Sequence, residues 1–462
     1  MNNSPETIIN NLSSTFENVS GFTVRKLKTD YIDCSIVFIK DLTDLSYISE
    51  NAVAKLEKST SPDILSSVSV PSAEELENDC AAADLLCRGN VLIINSDAKI
   101  YAFPAPKTEG RGVTEPTSDV TIRGPKAGFT ENAEKNLSML ASYIRTPDFK
   151  SESFVIGEIS KTKVILVYVK NRADEKILKD VKTRLENIKA NVITDSGNVS
   201  MLLSGAKNSF LPVCGSTEKV DKTASKLMSG RLAIIVDGSP FVLTLPYVFA
   251  ESLQASDDYL HTFLYATFIR LLRLLAFLAS IFAPALLCAA VKNDGSFLPS
   301  ALYGMIDKSR ADIPVSFFWE IMTVLILFEL LREVGVRMPR TVGDAVGIVG
   351  SIILGNTAVD AGIVSSVGVI TVAFAAVCSF ITPAYMYVVV LARILVLVLS
   401  ELFGFYGIAA SALAFLLVLV TKKSFGVPYL TPLFPPDLKG MMDFIFAYPK
   451  KTLGKREKLG KK

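Results

Sequence analysis

Glu320 and Glu329 stand inside an otherwise uncharged run, residues 315–331, nine positions apart. A carboxylate in such surroundings is costly to keep, and it serves ion movement, a counter-ion or a subunit contact. Nine residues of helix turn through about 900°, so the two acids leave a straight helix on opposite faces and cannot share one cavity. Glu329 has Arg332 three positions on, the spacing of a local ion pair. Glu320 has no local basic partner, which makes it the candidate for an ion path or a subunit contact. Arg393 and Glu401, eight residues apart on nearly one helix face, are a further pair expected to hold neighbouring helices together.

Small residues form the second pattern. Gly343, Gly347, Ser351 and Gly355 recur every four positions, a seam along which another backbone can approach closely. Asp344, Asn356 and Asp360 bracket the same apolar stretch, where a cation would be collected or released at the mouths of a pore. Val346 and Ile353 are then pore-lining candidates. Pure packing and a subunit or pore seam are both compatible with this spacing.

Chemistry of other kinds is scarce. His261 is the single histidine, which excludes histidine triads and multi-histidine metal sites. The six cysteines show no C-x-x-C pair and read as reduced structural thiols. No Walker, Rossmann, nucleophile-elbow or H-E-x-x-H motif occurs, so no enzyme, metal or cofactor is expected. Arg123-Gly124-Pro125-Lys126 offers only a basic turn before a helix, a weak anion cradle.

The elements that position these residues follow from how charge is distributed. Of 462 residues, 50% are hydrophobic and 20% charged, and the mean hydropathy of +0.39 conceals two halves. Roughly a quarter of residues 1–261 are charged, against about a tenth of 262–420, and a basic tail follows. The net charge of +2 gives no electrostatic footprint for nucleic acid. The first 30 residues are polar and lack the apolar core of a secretory signal, so the charged half is expected in the cytosol, with residues 1–20 flexible.

Two passages of the charged half share one order of events. FTVRKL and CSIVFIKD read as strands, a helix covers 44–58, and LLCRGNVLIINSDAKIYAFPAP closes a helix at Gly89 and turns a hairpin at Ser96-Asp97. FVIGEIS, KVILVYVK, a helix over 174–189 and KLMSGRLAIIVDGSPFVLTLPYV repeat it, with Gly230 in place of Gly89 and Asp237-Gly238 at the hairpin. We expect two related α/β subdomains, 21–110 and 111–260, the latter including a linker helix with Thr130 as its N-cap.

Residues 261–421 read as an all-α polytopic membrane domain, with apolar runs at 274–291, 315–331, 345–354 and 364–381 and two more within 386–420. Arg270 and Arg273 precede the first run, Arg332, Arg337 and Arg340 follow the second, and Lys422 and Lys423 follow the last. The positive-inside rule then puts both termini in the cytosol and makes the crossings even. Four to six spans result, according to whether 342–381 crosses or is re-entrant. The tail, 422–462, contains prolines and is basic enough to be drawn to anionic lipid.

Four stretches carry a resemblance: RGPKAGFTENAEKNL (123–137), GRLAIIVDGSPFVLTLP (230–246), TVGDAVGIVGSIILGNTAVDAGIVS (341–365) and SFGVPYLTP (424–432). Together, and in this order, the chain resembles the A subunits of GerA-type spore germinant receptors, or their close SpoVA-associated F-type paralogue. The resemblance implies a multi-pass protein of the spore inner membrane with a two-lobed cytosolic domain. It implies a transporter-like B subunit and a lipoprotein C subunit as partners, and homo-oligomers that form a nutrient-gated cation channel. A transporter, or a scaffold subunit of a germination complex without its own conductance, is the alternative.

Overall fold

A computed structural model describes residues 4–19, 21–68, 70, 73–76, 80–107, 116, 125–205, 210–255, 257–258, 261–293, 298–339, 343, 350, 352–436 and 444. Its first half holds two five-stranded antiparallel sheets. The first has strands β1 (Phe22–Lys28), β2 (Asp33–Ile39), β3 (Glu74–Leu76), β4 (Asn90–Asn95) and β5 (Ile100–Pro104) in the order β1-β2-β4-β5-β3. The second has β6 (Phe149–Ile156), β7 (Thr162–Val169), β8 (Gly215–Thr217), β9 (Leu232–Val236) and β10 (Val242–Leu245) in the order β6-β7-β9-β10-β8. The two orders coincide strand for strand: hairpin, short edge strand, hairpin.

The apolar runs explain the layering. Alternate residues of a strand face opposite ways, so Ile36 and Phe38 enter one core with Ile48 and Leu56. Val37 and Ile39 enter the other, with Ile8, Leu12 and Phe16. In the second sheet Ile165 and Val167 face α3 (Ala133–Tyr143) and α5 (Val220–Met228), whereas Val164 and Leu166 face α4 (Glu175–Glu186). Gly89 and Gly230 sit at φ +81° and +90°. A Cβ there would meet Leu42 O at 2.8 Å and Arg172 O at 2.5 Å, equivalent loop carbonyls in the two units. Only glycine combines that backbone with that approach.

Two local expectations change. Most of the segment expected to be flexible is helical: α1 (Pro5–Thr15) starts at Ser4, whose side chain accepts from Thr7 N, and buries Ile8 and Leu12. Its apolar residues recur every four positions, so polar neighbours hide the stripe from a composition reading. The linker helix α3 is capped by Asn132, which accepts from Lys135 N at 2.9 Å, and not by Thr130, whose N–H donates to Asn136 Oδ1 at 2.7 Å.

The second half is helical. Its main elements are α6 (Phe263–Lys292), α7 (Ser300–Arg310), α8 (Phe317–Arg337), α9 (Ser366–Phe380), α10 (Met386–Phe403) and α11 (Phe405–Thr421). Helix α6 packs along α9 and α10, α8 along α9, and α10 along α11. Two stretches, Phe263–Lys292 and Pro383–Phe403, are long and apolar enough to cross a membrane, and Ser366–Phe380 and Phe405–Thr421 are shorter apolar helices. After α11 the chain turns through a two-stranded ladder, Lys423–Ser424 against Val427–Pro428, back onto the α/β half.

Candidate functional site

Charged side chains buried or half-buried among the helices define the site. Glu320 lies in the first turn of α8, and its side chain is fully buried. Arg310, from the end of α7, reaches it with Nε at 3.3 Å of Oε2, while Ser365 donates both its N–H, at 2.8 Å, and its hydroxyl to Oε1. Ser365 is also the N-cap of α9 and accepts from Gly368 N at 3.0 Å. The carboxylate therefore sits at a helix N-terminus, where free N–H groups and the helix dipole favour negative charge. A Cβ on residue 368 would collide with Glu320 Oε1. The sequence offers Glu320 no basic partner at helical spacing; the partner comes from the preceding helix, because α7 and its loop fold back and deliver Arg310. Arg310 and Ser365 were not singled out by spacing; the S-x-x-G signature of a capped helix start was the available signal.

Glu329 and Arg332 form the expected i,i+3 pair, at 2.5 Å. Arg393 and Glu401 do not pair with each other. Eight residues of helix rise about 12 Å, which separates the two heads, and each finds a partner on α6 instead. Glu401 takes Lys292, Nζ to Oε1 at 3.4 Å. Arg393, 1% exposed, donates Nε to Ser280 O at 2.6 Å and Nη2 to Ala375 O at 3.1 Å.

Ser280 O is available for a definite reason. In a regular helix the N–H of residue 284 would take it, but residue 284 is proline, inside α6, and has no N–H to give. One guanidinium thus ties α10 to α6 and α9, using a carbonyl that the proline freed.

The small-residue seam is only partly visible. Asp344, Val346, Gly347, Ser351 and the Ile353 side chain lie outside the described residues. A Cβ on Gly343 would stand 3.1 Å from Gly335 O, whereas one on Gly355 would meet nothing within 4 Å. Gly355 belongs to a π-helical turn, Ile353–Thr357, that runs into Ala358–Asp360. Asn356 and Asp360 are exposed there. Such π turns are frequent where a helix serves a function. Among the described residues no group of three or more His, Cys, Asp or Glu side chains could hold a metal ion.

Residues 10–459 match the family described as Bacillus/Clostridium GerA spore germination protein. The chain belongs to this GerA-type A-subunit family. It is similar to spore germination protein KA of Bacillus subtilis (strain 168), 35% identical over 93% of this chain and 82% of that protein. Spore germination protein A1 of the same organism is 32% identical over 90% of this chain and 88% of its own. Among solved structures, the N-terminal domain of the A subunit of the Bacillus megaterium spore germinant receptor GerK3 is 25% identical, with a TM-score of 0.41, and covers 54% of this chain and 96% of that one. A germination protein of this family with apolar helices long enough to cross a membrane is membrane-associated.

Proposed function

We propose that this chain is the A subunit of a nutrient germinant receptor and that copies of it assemble into a nutrient-gated cation channel in the spore inner membrane. Four to six spans, cytosolic termini, a B and a C subunit as partners, and a lipid-attracted tail belong to the same reading. The observation that carries it is the exposed polar pair Asn356, on a π-distorted turn, and Asp360, in the short helix that continues it, at the end of a stretch whose neighbours are apolar. Polar groups turned outward at membrane depth need water or another subunit. The buried Glu320 and Arg393 and the half-buried Glu329 and Glu401 all have partners within the chain. They are therefore read as braces, and the outward turn as the part that meets an ion path.

The test uses potassium-loaded liposomes carrying the full chain. Ile353→Ser should give a potassium leak without any nutrient, and Gly355→Trp should abolish oligomers seen by cross-linking. Retained oligomers and tight liposomes with both variants would refute the pore assignment.

A further inference from the structure

Three segments remote in sequence meet where the α/β half touches the helices. Tyr385 stands in the turn before α10 and Tyr429 in the segment after α11. Both are fully buried, and their hydroxyls lie 2.6 Å apart. The main chain of Tyr429 is held from both sides: its carbonyl accepts from Phe249 N at 2.9 Å, and its N–H donates to Lys422 O at 2.9 Å. One turn earlier Ser424 clasps the α/β half, accepting from Tyr247 N at 3.0 Å and donating to Val213 O at 2.8 Å. Aromatic rings fill the joint: Phe249 lies 5.5 Å from Phe277 of α6 and 5.6 Å from Tyr385.

This segment is wedged between the two halves. A displacement at the end of the α/β half reaches the segment through one backbone bond, Phe249 N to Tyr429 O, and the Ser424 clasp, and passes to the start of α10 through the hydroxyl pair together with the contacts of Phe249 and Ser252 on Tyr385. Helix α10 is also the one that carries Arg393. Two further hydroxyls, Thr382 Oγ1, three residues before Tyr385, and Thr431 Oγ1, two residues after Tyr429, are buried with no partner among the described residues. A buried hydroxyl without a partner is a cost that folded proteins rarely leave in place. The segments that carry the two tyrosines thus each keep an unsatisfied hydroxyl.

We infer that the Tyr385–Tyr429 hydroxyl pair is the coupling contact that transmits a nutrient-driven movement between the α/β half and the helices, through the 423–431 segment. The inference rests on the receptor-subunit reading, but not on conduction by this chain alone. A contact present in only one of two functional states sets their balance, whereas one present in both sets stability only.

Spores dependent on this chain and its partners would carry Tyr429→Phe, Tyr385→Phe or both, and respond to a dilution series of yeast extract. Removing one net hydrogen bond from one state moves the half-maximal dilution by about five- to tenfold. The double variant should move it no further than Tyr385→Phe alone, which already removes the pair and the Tyr385 bond to Ser252. A shift below twofold in spores with normal protein levels, together with a lowered unfolding temperature of the purified variants, would make the pair a plain brace and overturn the inference. If the tyrosine variants fail to accumulate, Ser424→Ala provides the second reading: it releases the clasp at the other end of the segment and must shift the same dilution. Failure of the liposome leak test alongside a clear dilution shift would remove the channel reading and leave the coupling intact.

Discussion

Glu320→Gln replaces one oxygen of a fully buried carboxylate with an amide and leaves the shape unchanged. The Ser365 N–H keeps an acceptor, while Arg310 keeps its bond to Val315 O at 3.2 Å and its stacking over Phe317 at 4.8 Å. What is lost is the charge facing Arg310. Breaking a buried ion pair by removing one partner costs about 3–5 kcal/mol. Arg310 is 19% exposed, so water relieves part of that, and about 2–3 kcal/mol is expected. Arg310→Gln should cost more, about 3–4 kcal/mol, because the carboxylate left behind is fully buried and retains only the Ser365 donors. Once either charge is gone the other has no pair to lose. The double variant should therefore cost about 3 kcal/mol instead of the 5–7 an additive sum gives, a coupling of about 3 kcal/mol. Unfolding of the detergent-solubilised chain by a denaturing detergent, run on all four proteins, measures the cycle. Additive losses within about 0.5 kcal/mol would refute the brace and return Glu320 to the role of an ion-path residue.

Gly230→Ala should destabilise the α/β half by about 2 kcal/mol or more in urea unfolding, since it adds a Cβ against Arg172 O at a backbone angle that side chains avoid. Burial, then the charge of Glu134, raise the Asp41 carboxyl to about 6, against the lowering influence of Lys107, Lys163 and Lys40. A raised acid favours the protonated folded chain, so its penalty is absent below the unfolded value near 4 and grows as pH rises through 6. Asp41→Asn should therefore gain stability at pH 7.5 relative to pH 4, by no more than about 3 kcal/mol and less with solvent screening, as read from unfolding at the two pH values. Pro284→Ala restores an N–H that competes for Ser280 O. Instead of the ~3 kcal/mol that removing a helix-interior proline offers elsewhere, unfolding in detergent should show a gain below about 1 kcal/mol.

The elements that read clearly in the sequence are those whose pattern is local. CSIVFIKD and KVILVYVK are continuous apolar runs and became central strands, as Gly89 and Gly230 became positive-φ helix ends. The edge strands β3 and β8 are three residues each, too short for any period to register. The Glu329–Arg332 pair was visible because an i,i+3 spacing is geometry that the helix itself supplies. Arg310 with Glu320, Lys292 with Glu401 and Tyr385 with Tyr429 were not visible, since each pair is made by two elements meeting. Their separations along the chain, from 10 to 109 residues, carry no periodic signal. The Arg393–Glu401 expectation shows the limit in the other direction: a shared helix face is necessary for two side chains to meet, and eight residues of rise defeats it.

Taken together, these contacts change which polar groups are free to handle an ion. Glu320 is spent at the N-terminus of α9, Glu329 on Arg332, Glu401 on Lys292, and Arg393 on two carbonyls, one of them released by Pro284. Except for Glu329, whose partner stands on its own helix, each of these groups links helices that would otherwise meet through apolar side chains alone, and such contacts give a bundle little preference for one packing over another in lipid. Charge in the interior is therefore used to fix how α6, α8, α9 and α10 sit against one another. Asn356 and Asp360, exposed on the turn that follows the small-residue seam, have no such partner among the contacts of the described residues. A second copy of the chain could bring another turn of the same kind against them, which a single bundle cannot do. Under the proposed channel reading the ion-handling surface is a property of the assembly, and the paired charges are the means by which each copy presents its turn in one geometry.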